Sequence, residues 1–134
     1  MAVLLDTDVS IELLRHNAYT LDCLAKCEDE IFVSTITAAE LYFGAYHSQR
    51  VEKNIRAVDE FLRQFPRLTL SDESSRTFGE QKQLLRANAT PVDTLDLLIA
   101  SLAIANRCCL ATGNVRHFKA IKGLLLLNWI KNNV

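Results

Sequence analysis

Five side chains that carry oxygen ligands share one kind of position, close to the start of a predicted helix: Asp6, Asp8, Glu40, Asp96 and Asn114. In open parallel sheets, ligands bind beyond the carboxyl ends of the strands, where loops lead into helix N-termini. We therefore expect these side chains to meet at one edge of a sheet. Carboxylates gathered there repel one another unless a cation lies among them, and all-oxygen ligands favour Mg²⁺ or Mn²⁺ over zinc. The pattern predicts a divalent metal site that serves phosphate chemistry.

Each of these positions also has a structural interpretation. Acids in a first helical turn are stabilised by the helix dipole, by about 0.3–1 kcal/mol. Asp8, Asp93 and Asn114 are each placed to cap the helix that follows. Glu40 lies three residues after Thr37, the spacing of a capping box in which Glu40 bonds back to the Thr37 amide.

Other catalytic motifs are absent from the sequence. It contains no GxSxG elbow, no Walker loop and no GxGxxG. The three histidines, His16, His47 and His117, are not paired at a useful spacing. We interpret His16 and His47 as surface residues, whereas His117 is a candidate contact for a phosphate because it lies close to Asn114 and Arg116.

The elements that must position these side chains alternate along the chain. Short apolar runs predict strands at 3–5, 31–33, 108–111 and 124–127, with a weaker fifth at 68–70. Helical spacing predicts helices at about 8–15, 19–27, 36–47, 50–64, 72–87 and 94–106. None of the strands alternates cleanly between apolar and polar residues, which is typical of strands covered on both faces.

This alternation predicts the fold class α/β. We expect a single domain over residues 1–134, built as a three-layer α/β/α sandwich on a central, mostly parallel sheet of four or five strands. The chain has 134 residues, of which 49% are hydrophobic and 23% charged. That composition is typical of a soluble globular domain.

Charge and cysteine usage narrow the possible functions. The net charge of −1 excludes a generally basic nucleic-acid coat, but no acidic residue follows Asp96, while several bases do. Four unpaired cysteines without zinc spacing, together with an N-terminus that lacks a charged leader, favour a reducing cytoplasm. The longest apolar stretch, 97–105, is too short to span a bilayer, so we expect no membrane association.

Four blocks of the sequence resemble the motifs of PIN-domain nucleases, most closely the VapC-type toxins of bacterial toxin–antitoxin pairs. They are LLDTDVSI at 4–11, STITAAELYFGA at 34–45, DLLIA at 96–100, and ATGNVRHF at 111–118 followed by IKGL and Trp129. The blocks run through the whole chain in the family's order. Two departures concern a second metal: Asp8 replaces the usual Asn, and Thr94 stands where many members carry an acid that Asp93 is placed to replace.

The resemblance implies an endoribonuclease that depends on Mg²⁺, with Mn²⁺ as a substitute, and a PIN-like fold. It places the catalytic residues at Asp6, Glu40, Asp96 and Asn114, of which Asp6 and Asp96 hold the metal. Metal-activated water would hydrolyse an RNA phosphodiester and leave a 5′-phosphate. The implied partners are the RNA substrate, a cognate antitoxin protein and a second copy of the chain in a homodimer.

Residues around the four catalytic positions receive supporting roles. Thr7, Ser34 and Asp93 are predicted to orient the carboxylates by hydrogen bonds. For Thr7 and Ser34, capping and turn chemistry is an equal alternative. Three bases near the C-terminus are predicted to bind the RNA backbone: Arg116, Lys119 and Lys122.

Two other functions stay open at the level of sequence. Asp6-Thr7-Asp8-Val9-Ser10 comes close to the DxDx[TV] motif of haloacid-dehalogenase-like phosphatases, in which Asp6 would be a covalent nucleophile. However, the acidic pair that this chemistry needs does not follow residues 108–111. The other alternative is a degenerate PIN module that binds RNA or a protein without cleaving, which Asn114 and Thr94 leave open.

Overall fold

The computed structural model describes residues 1–131, in which five strands and seven helices follow one another. In chain order they are β1 Ala2–Leu5, α1 Thr7–Leu14, α2 Ala18–Lys26, β2 Ile31–Ser34, α3 Thr35–Tyr46, α4 Val51–Arg63, β3 Arg67–Leu68, α5 Asp72–Ala87, α6 Thr94–Ala105, β4 Cys108–Thr112, α7 Val115–Phe118 and β5 Leu126–Asn128. No helix within these residues is long and apolar enough to cross a membrane.

The five strands form one sheet in the order β3-β2-β1-β4-β5, and every neighbouring pair is parallel. β1 lies in the centre, where Leu5 is in register with Val33 of β2 and with Ala111 of β4. Parallel neighbours require crossover connections, which the helices provide. The carboxyl ends of β1, β2 and β4 therefore lie side by side at one edge of the sheet.

Successive residues of β1 point to opposite faces of the sheet and contribute to two separate cores. Val3 and Leu5 pack in a core with residues of α1, α3 and α4. Leu4 packs in a second core with residues of α5, α6 and α7. Because helices cover both faces, the predicted three-layer α/β/α sandwich on a parallel sheet is confirmed.

The outer strands differ slightly from prediction. β3 is Arg67–Leu68 rather than 68–70, because only these two residues pair with the end of β2. β5 is Leu126–Asn128 rather than 124–127, since Gly123 turns the chain at a φ of 81° and the pairing with β4 extends to Asn128. Both are edge strands, whose bounds depend on a single neighbour.

Candidate active site

Asp6 is the most deeply buried acid of the site, with 4% of its surface exposed. It follows β1 directly and is the N-cap of α1, where its Oδ1 accepts a hydrogen bond from the Thr7 amide at 2.9 Å. The hydroxyl of Thr112, at the end of β4, donates to Asp6 Oδ2 at 2.8 Å. A carboxylate has about four lone-pair sites, so each oxygen keeps capacity for a further ligand.

Asp8 links the start of α1 to the loop that follows β4. Its Oδ2 accepts a hydrogen bond from the Gly113 amide at 2.9 Å, and its Oδ1 one from the Val9 amide at 2.7 Å. The interpretation of Asp8 as the N-cap of α1 is wrong, because Asp6 occupies that position. Asp8 instead holds two segments that are 105 residues apart in the chain.

Gly113 is required at this loop by a close approach of the C-terminal segment. A Cβ atom on Gly113 would lie 2.6 Å from Ile130 Cδ1 and 2.8 Å from Ile130 Cβ. Real Cβ atoms do not approach other heavy atoms so closely. A side chain here would therefore push the Asp8-binding loop and the C-terminal segment apart.

Glu40 is held by the hydroxyl of Thr7, which is itself bonded to the hydroxyl of Thr37, rather than by a capping box. The Thr7 hydroxyl donates to Glu40 Oε1 at 2.7 Å and lies 2.9 Å from the Thr37 hydroxyl. Since Thr7 gives its one hydroxyl hydrogen to Glu40, Thr37 is the donor of the second bond. The capping box predicted between Thr37 and Glu40 is wrong, because Ser34 is the N-cap of α3 and accepts from the Thr37 amide at 3.0 Å.

Ser34 lies fully buried at the end of β2. Its hydroxyl accepts from the Thr37 amide as the cap of α3, so it supports the helix that carries Glu40. It makes no hydrogen bond to any carboxylate within residues 1–131. For Ser34, the structure therefore bears out the capping alternative. For Thr7, the role in orienting a carboxylate stays a prediction.

Two hollows flank α3 and share Glu40 in their walls. One, of about 340 Å³, is also lined by Arg15 and Asn54. The other, of about 770 Å³, is also lined by Phe43 and Leu95. Glu40 is thus partly exposed and accessible to solvent from both sides of the helix.

Asp96, in the first turn of α6, lies beside His117 of α7. The His117 Nε2 atom is 2.9 Å from Asp96 Oδ2. The two groups are not oriented for a hydrogen bond, and the Nε2 atom has no hydrogen-bond partner within residues 1–131. Asp93 occupies the N-cap position of α6, but its side chain is exposed and makes no capping bond. The capping interpretation of Asp93 is therefore wrong.

Asn114 stands at the N-cap position of α7, with no capping bond from its side chain. The side chain is exposed and makes no hydrogen bond among the described residues, so the capping interpretation is wrong here too. The three bases predicted to bind RNA follow it on α7 and in the next loop, and all are exposed: Arg116, Lys119 and Lys122.

The electrostatics of this edge disfavour three ionised carboxylates. Burial, followed by repulsion from Asp8, raises the pKa of Asp6 from 3.8 to about 7. Burial also raises the pKa of Asp8 and that of Asp96. The Asp96 charge contributes to the upward shift at both other acids, while His117 opposes the shift at Asp96. These mutual interactions indicate that Asp6, Asp8 and Asp96 share one electrostatic environment.

Two residues of the site, Thr112 and Gly113, were not singled out from the sequence, and Thr37 was singled out only as the partner of Glu40 in a capping box. Thr112 bonds to Asp6 across 106 residues of chain, and Thr37 bonds to Thr7 across 30. Thr112 and Gly113 stand between the predicted strand and Asn114, which was the available signal for them. The spacing around Thr37 indicated only a capping box, and nothing local indicated its bond to Thr7.

Comparisons with known proteins show what this chain is similar to. A model of the PIN domain matches residues 3–124. Ribonuclease VapC2 of Rickettsia felis is 33% identical over 135 residues, which cover 98% of this chain and 100% of the relative. The tRNA(fMet)-specific endonuclease VapC of Shigella flexneri is 25% identical over 127 residues, 94% of this chain and 96% of the relative. The crystal structure of VapBC2 from Rickettsia felis bound to a promoter DNA fragment superposes with a TM-score of 0.88 at 33% identity, covering 97% of this chain and 100% of that one.

Proposed function

Because the chain belongs to the PIN-domain family, we propose that it is a divalent-metal-dependent endoribonuclease of the VapC type, the toxin of a toxin–antitoxin pair. The observation that carries the proposal is that Asp6, Asp8 and Asp96 interact at the carboxyl edge of one sheet. Glu40 of α3 is tied to the start of α1 through Thr7. The relatives named as ribonuclease and tRNA endonuclease support RNA as the substrate class. Because the PIN-domain model matches residues 3–124, we no longer consider the alternative of a haloacid-dehalogenase-like phosphatase.

The donor set at this edge fits a magnesium ion. Within residues 1–131, no group of three His, Cys, Asp or Glu side chains is placed to hold a metal ion. Mg²⁺ does not need such a group, because proteins usually bind it through one or two carboxylates, with water and substrate phosphate as the other ligands. Asp6 and Asp96 are the proposed ligands, and the cation would offset the repulsion and burial that raise the pKa of both groups.

When bound, the ion would acidify water and stabilise negative charge on the phosphate. The remaining work belongs to side chains of this chain. Glu40 is held at Oε1 by Thr7, which leaves Oε2 to orient the attacking water or accept its proton. Asn114 is exposed at the mouth of the site and is proposed to bond a ligand there. Attack at phosphorus breaks the bond to the 3′-oxygen and leaves a 5′-phosphate and a 3′-hydroxyl.

The proposed protein partners are a cognate antitoxin and a second copy of the chain. The similarity to a VapBC complex supports the antitoxin, which would inhibit by laying a guanidinium across the acids, since Arg pairs bidentately with carboxylates. Phe43 and Tyr46, one turn apart on α3, are 70% and 67% exposed. They supply an apolar surface for a homodimer. Four free cysteines are consistent with a cytoplasmic location.

Cleavage of RNA after metal removal and return tests the proposed function. The purified protein should cleave RNA with Mg²⁺ or Mn²⁺, lose activity in EDTA and regain it when the ion is restored. Asp6→Asn and Asp96→Asn should each abolish cleavage with the circular dichroism spectrum unchanged, whereas Asp72→Asn, at an exposed acid of α5, should not. Full activity in EDTA, or in both site variants, would contradict the proposal. Absence of cleavage under every metal condition would favour the degenerate PIN module.

A further inference from the structure

A hollow of about 350 Å³ lies where α5 ends and α6 begins, outside the acidic site. Most of the residues that line it are apolar, and two basic residues, Lys82 and Arg86, also line it. The residues that define its character are Lys82, Leu85, Arg86, Pro91, Val92 and Leu97. A cavity with apolar walls and charged side chains suits a ligand that is itself part apolar and part anionic.

The hollow is at the same edge of the sheet as the acids. α6 runs antiparallel to the strands, because its first turn carries Asp96 to the carboxyl edge and β4 begins just after it ends. α5 packs along α6 and is joined to it by residues 88–93. The C-terminal end of α5 therefore reaches that edge too. Leu97, in the wall of the hollow, directly follows Asp96.

The bases at the hollow continue those that follow the acidic site. The Gln81 Nε2 atom donates to the Lys122 carbonyl at 3.1 Å, which fixes the loop after α7 against α5. Lys82 is the next residue, and its Nζ lies 5.5 Å from the centroid of the Phe78 ring. We call these bases together the basic band: Lys82 and Arg86 at the hollow, and Arg116, Lys119 and Lys122 on α7 and in the loop after it.

No side chain of the basic band forms an ion pair within the described part of the chain, where the pairs of lysine and arginine involve Arg15, Lys26 and Arg63. The bases of the band are therefore available to an anionic ligand. Arg86 lies in the last turn of α5, where the helix dipole favours a cation, and this accounts for one of the two bases. It does not explain an apolar hollow between them and the start of α6.

We propose that Lys82 and Arg86, with the apolar hollow at the α5–α6 junction, form a binding subsite for a nucleotide of single-stranded RNA that flanks the cleaved phosphate. The two bases would contact backbone phosphate, and the base ring would rest against Pro91 and Val92. This inference rests on the proposed ribonuclease function for its ligand. It extends the substrate path beyond Arg116, Lys119 and Lys122 to the far side of α6.

A matched pair of double variants tests the subsite. Lys82→Gln with Arg86→Gln removes two charges at the hollow. Arg76→Gln with Arg107→Gln removes two charges from exposed positions in the first half of α5 and at the turn after α6, toward the opposite edge. Binding of a fluorescein-labelled 20-nucleotide single-stranded RNA is measured by anisotropy at 50–200 mM salt, in an Asp6→Asn background that prevents cleavage. Circular dichroism confirms that each variant is folded.

The subsite variant should bind this RNA about tenfold more weakly than its parent. The slope of log K against log[salt] should become shallower by about 1.4, as expected for two lost contacts with a single strand. With Asp6 intact, KM for the same RNA should rise about tenfold while kcat changes less than about twofold. The Arg76/Arg107 control should stay within about twofold of its parent in each measurement.

Equal RNA affinity in the two double variants would overturn the subsite. If the Lys82/Arg86 variant instead loses affinity for polyglutamate while RNA binding is unchanged, the hollow binds an acidic protein segment and the RNA assignment is wrong. The binding arm does not require turnover. If the parent protein cleaves no RNA, the ribonuclease proposal fails on its own, while the two RNA affinities still decide whether the subsite exists.

Discussion

Replacing Asp6 by Asn should stabilise the metal-free protein at pH 8. Burial and the nearby Asp8 charge raise the pKa of Asp6 from 3.8 to about 7 in the folded state, so the folded protein binds a proton that the unfolded chain releases. Between about pH 4 and 7, the free energy of unfolding therefore falls as pH rises, by about 1.4 kcal/mol per unit at most. The full shift corresponds to roughly 2–4 kcal/mol at pH 8, and the neutral amide of Asn avoids this cost.

Urea unfolding at pH 5 and pH 8 in EDTA measures this effect. The fluorescence of Trp129 reports the transition, because it is the single tryptophan and only 7% of its surface is exposed in the folded state. The parent should lose about 2–3 kcal/mol from pH 5 to pH 8, whereas Asp6→Asn should lose much less. Asp72→Asn, at an exposed acid, should follow the parent. Equal pH dependence in Asp6→Asn and the parent, or a parent that gains stability toward pH 8, would refute the reasoning.

Three further substitutions test the packing around the acids. Gly113→Ala should destabilise the fold by about 1–3 kcal/mol through overpacking. Gly79→Ala, in the middle of a helix with open space around it, should stabilise the fold by about 0.5–1 kcal/mol. Thermal melts measure both effects, and equal changes of Tm in the two variants would contradict this prediction. Thr7→Val should free Glu40 and lower kcat at least tenfold with a smaller change in KM, whereas Thr7→Ser should keep most of the rate; equal rates in both would remove this role. Thr112→Val should cost about 1–3 kcal/mol, because it removes the hydroxyl that donates to the buried Asp6 and accepts from the Asn114 amide. Urea titration that shows no loss of stability would count against this role.

The sheet was predictable because its central strands are short and almost wholly apolar. β1 and β4 are buried on both faces, so their sequences carry little besides Val, Leu, Ala and Cys. The helices between them have clear apolar spacing, and their predicted bounds differ from the observed ones by about one residue. The edge strands were less predictable, since pairing with a single neighbour, rather than composition, decides where they end.

The acids of the site were predictable for a topological reason. Parallel strands bring their carboxyl ends to one edge, so residues that directly follow β1, β2 and β4 must lie near each other whatever their separation in sequence. For Asp6, which directly follows β1, the prediction needed only the strand positions. Glu40 and Asp96 lie within α3 and α6, so their placement also depended on where these helices begin.

The hydrogen bonds that hold these acids were not predictable. Local rules favour contacts within one helical turn, and they led to the capping box between Thr37 and Glu40. In the structure the nearby Ser34 takes over the capping, which frees Glu40 to accept from Thr7 on another helix. Similarly, Asp8 bonds to Gly113 rather than capping its own helix. Such choices depend on the packing of α1 against α3 and β4, which the sequence does not specify locally.

The measurement that tests the central claim most directly is the affinity of the purified protein for Mn²⁺, determined by isothermal titration calorimetry at pH 7.5. The account predicts a site in the parent that weakens at least tenfold in both Asp6→Asn and Asp96→Asn, and that is unchanged in Asp72→Asn. Mn²⁺ affinity equal to that of the parent in both Asp6→Asn and Asp96→Asn would contradict the claim that these two carboxylates hold one divalent ion.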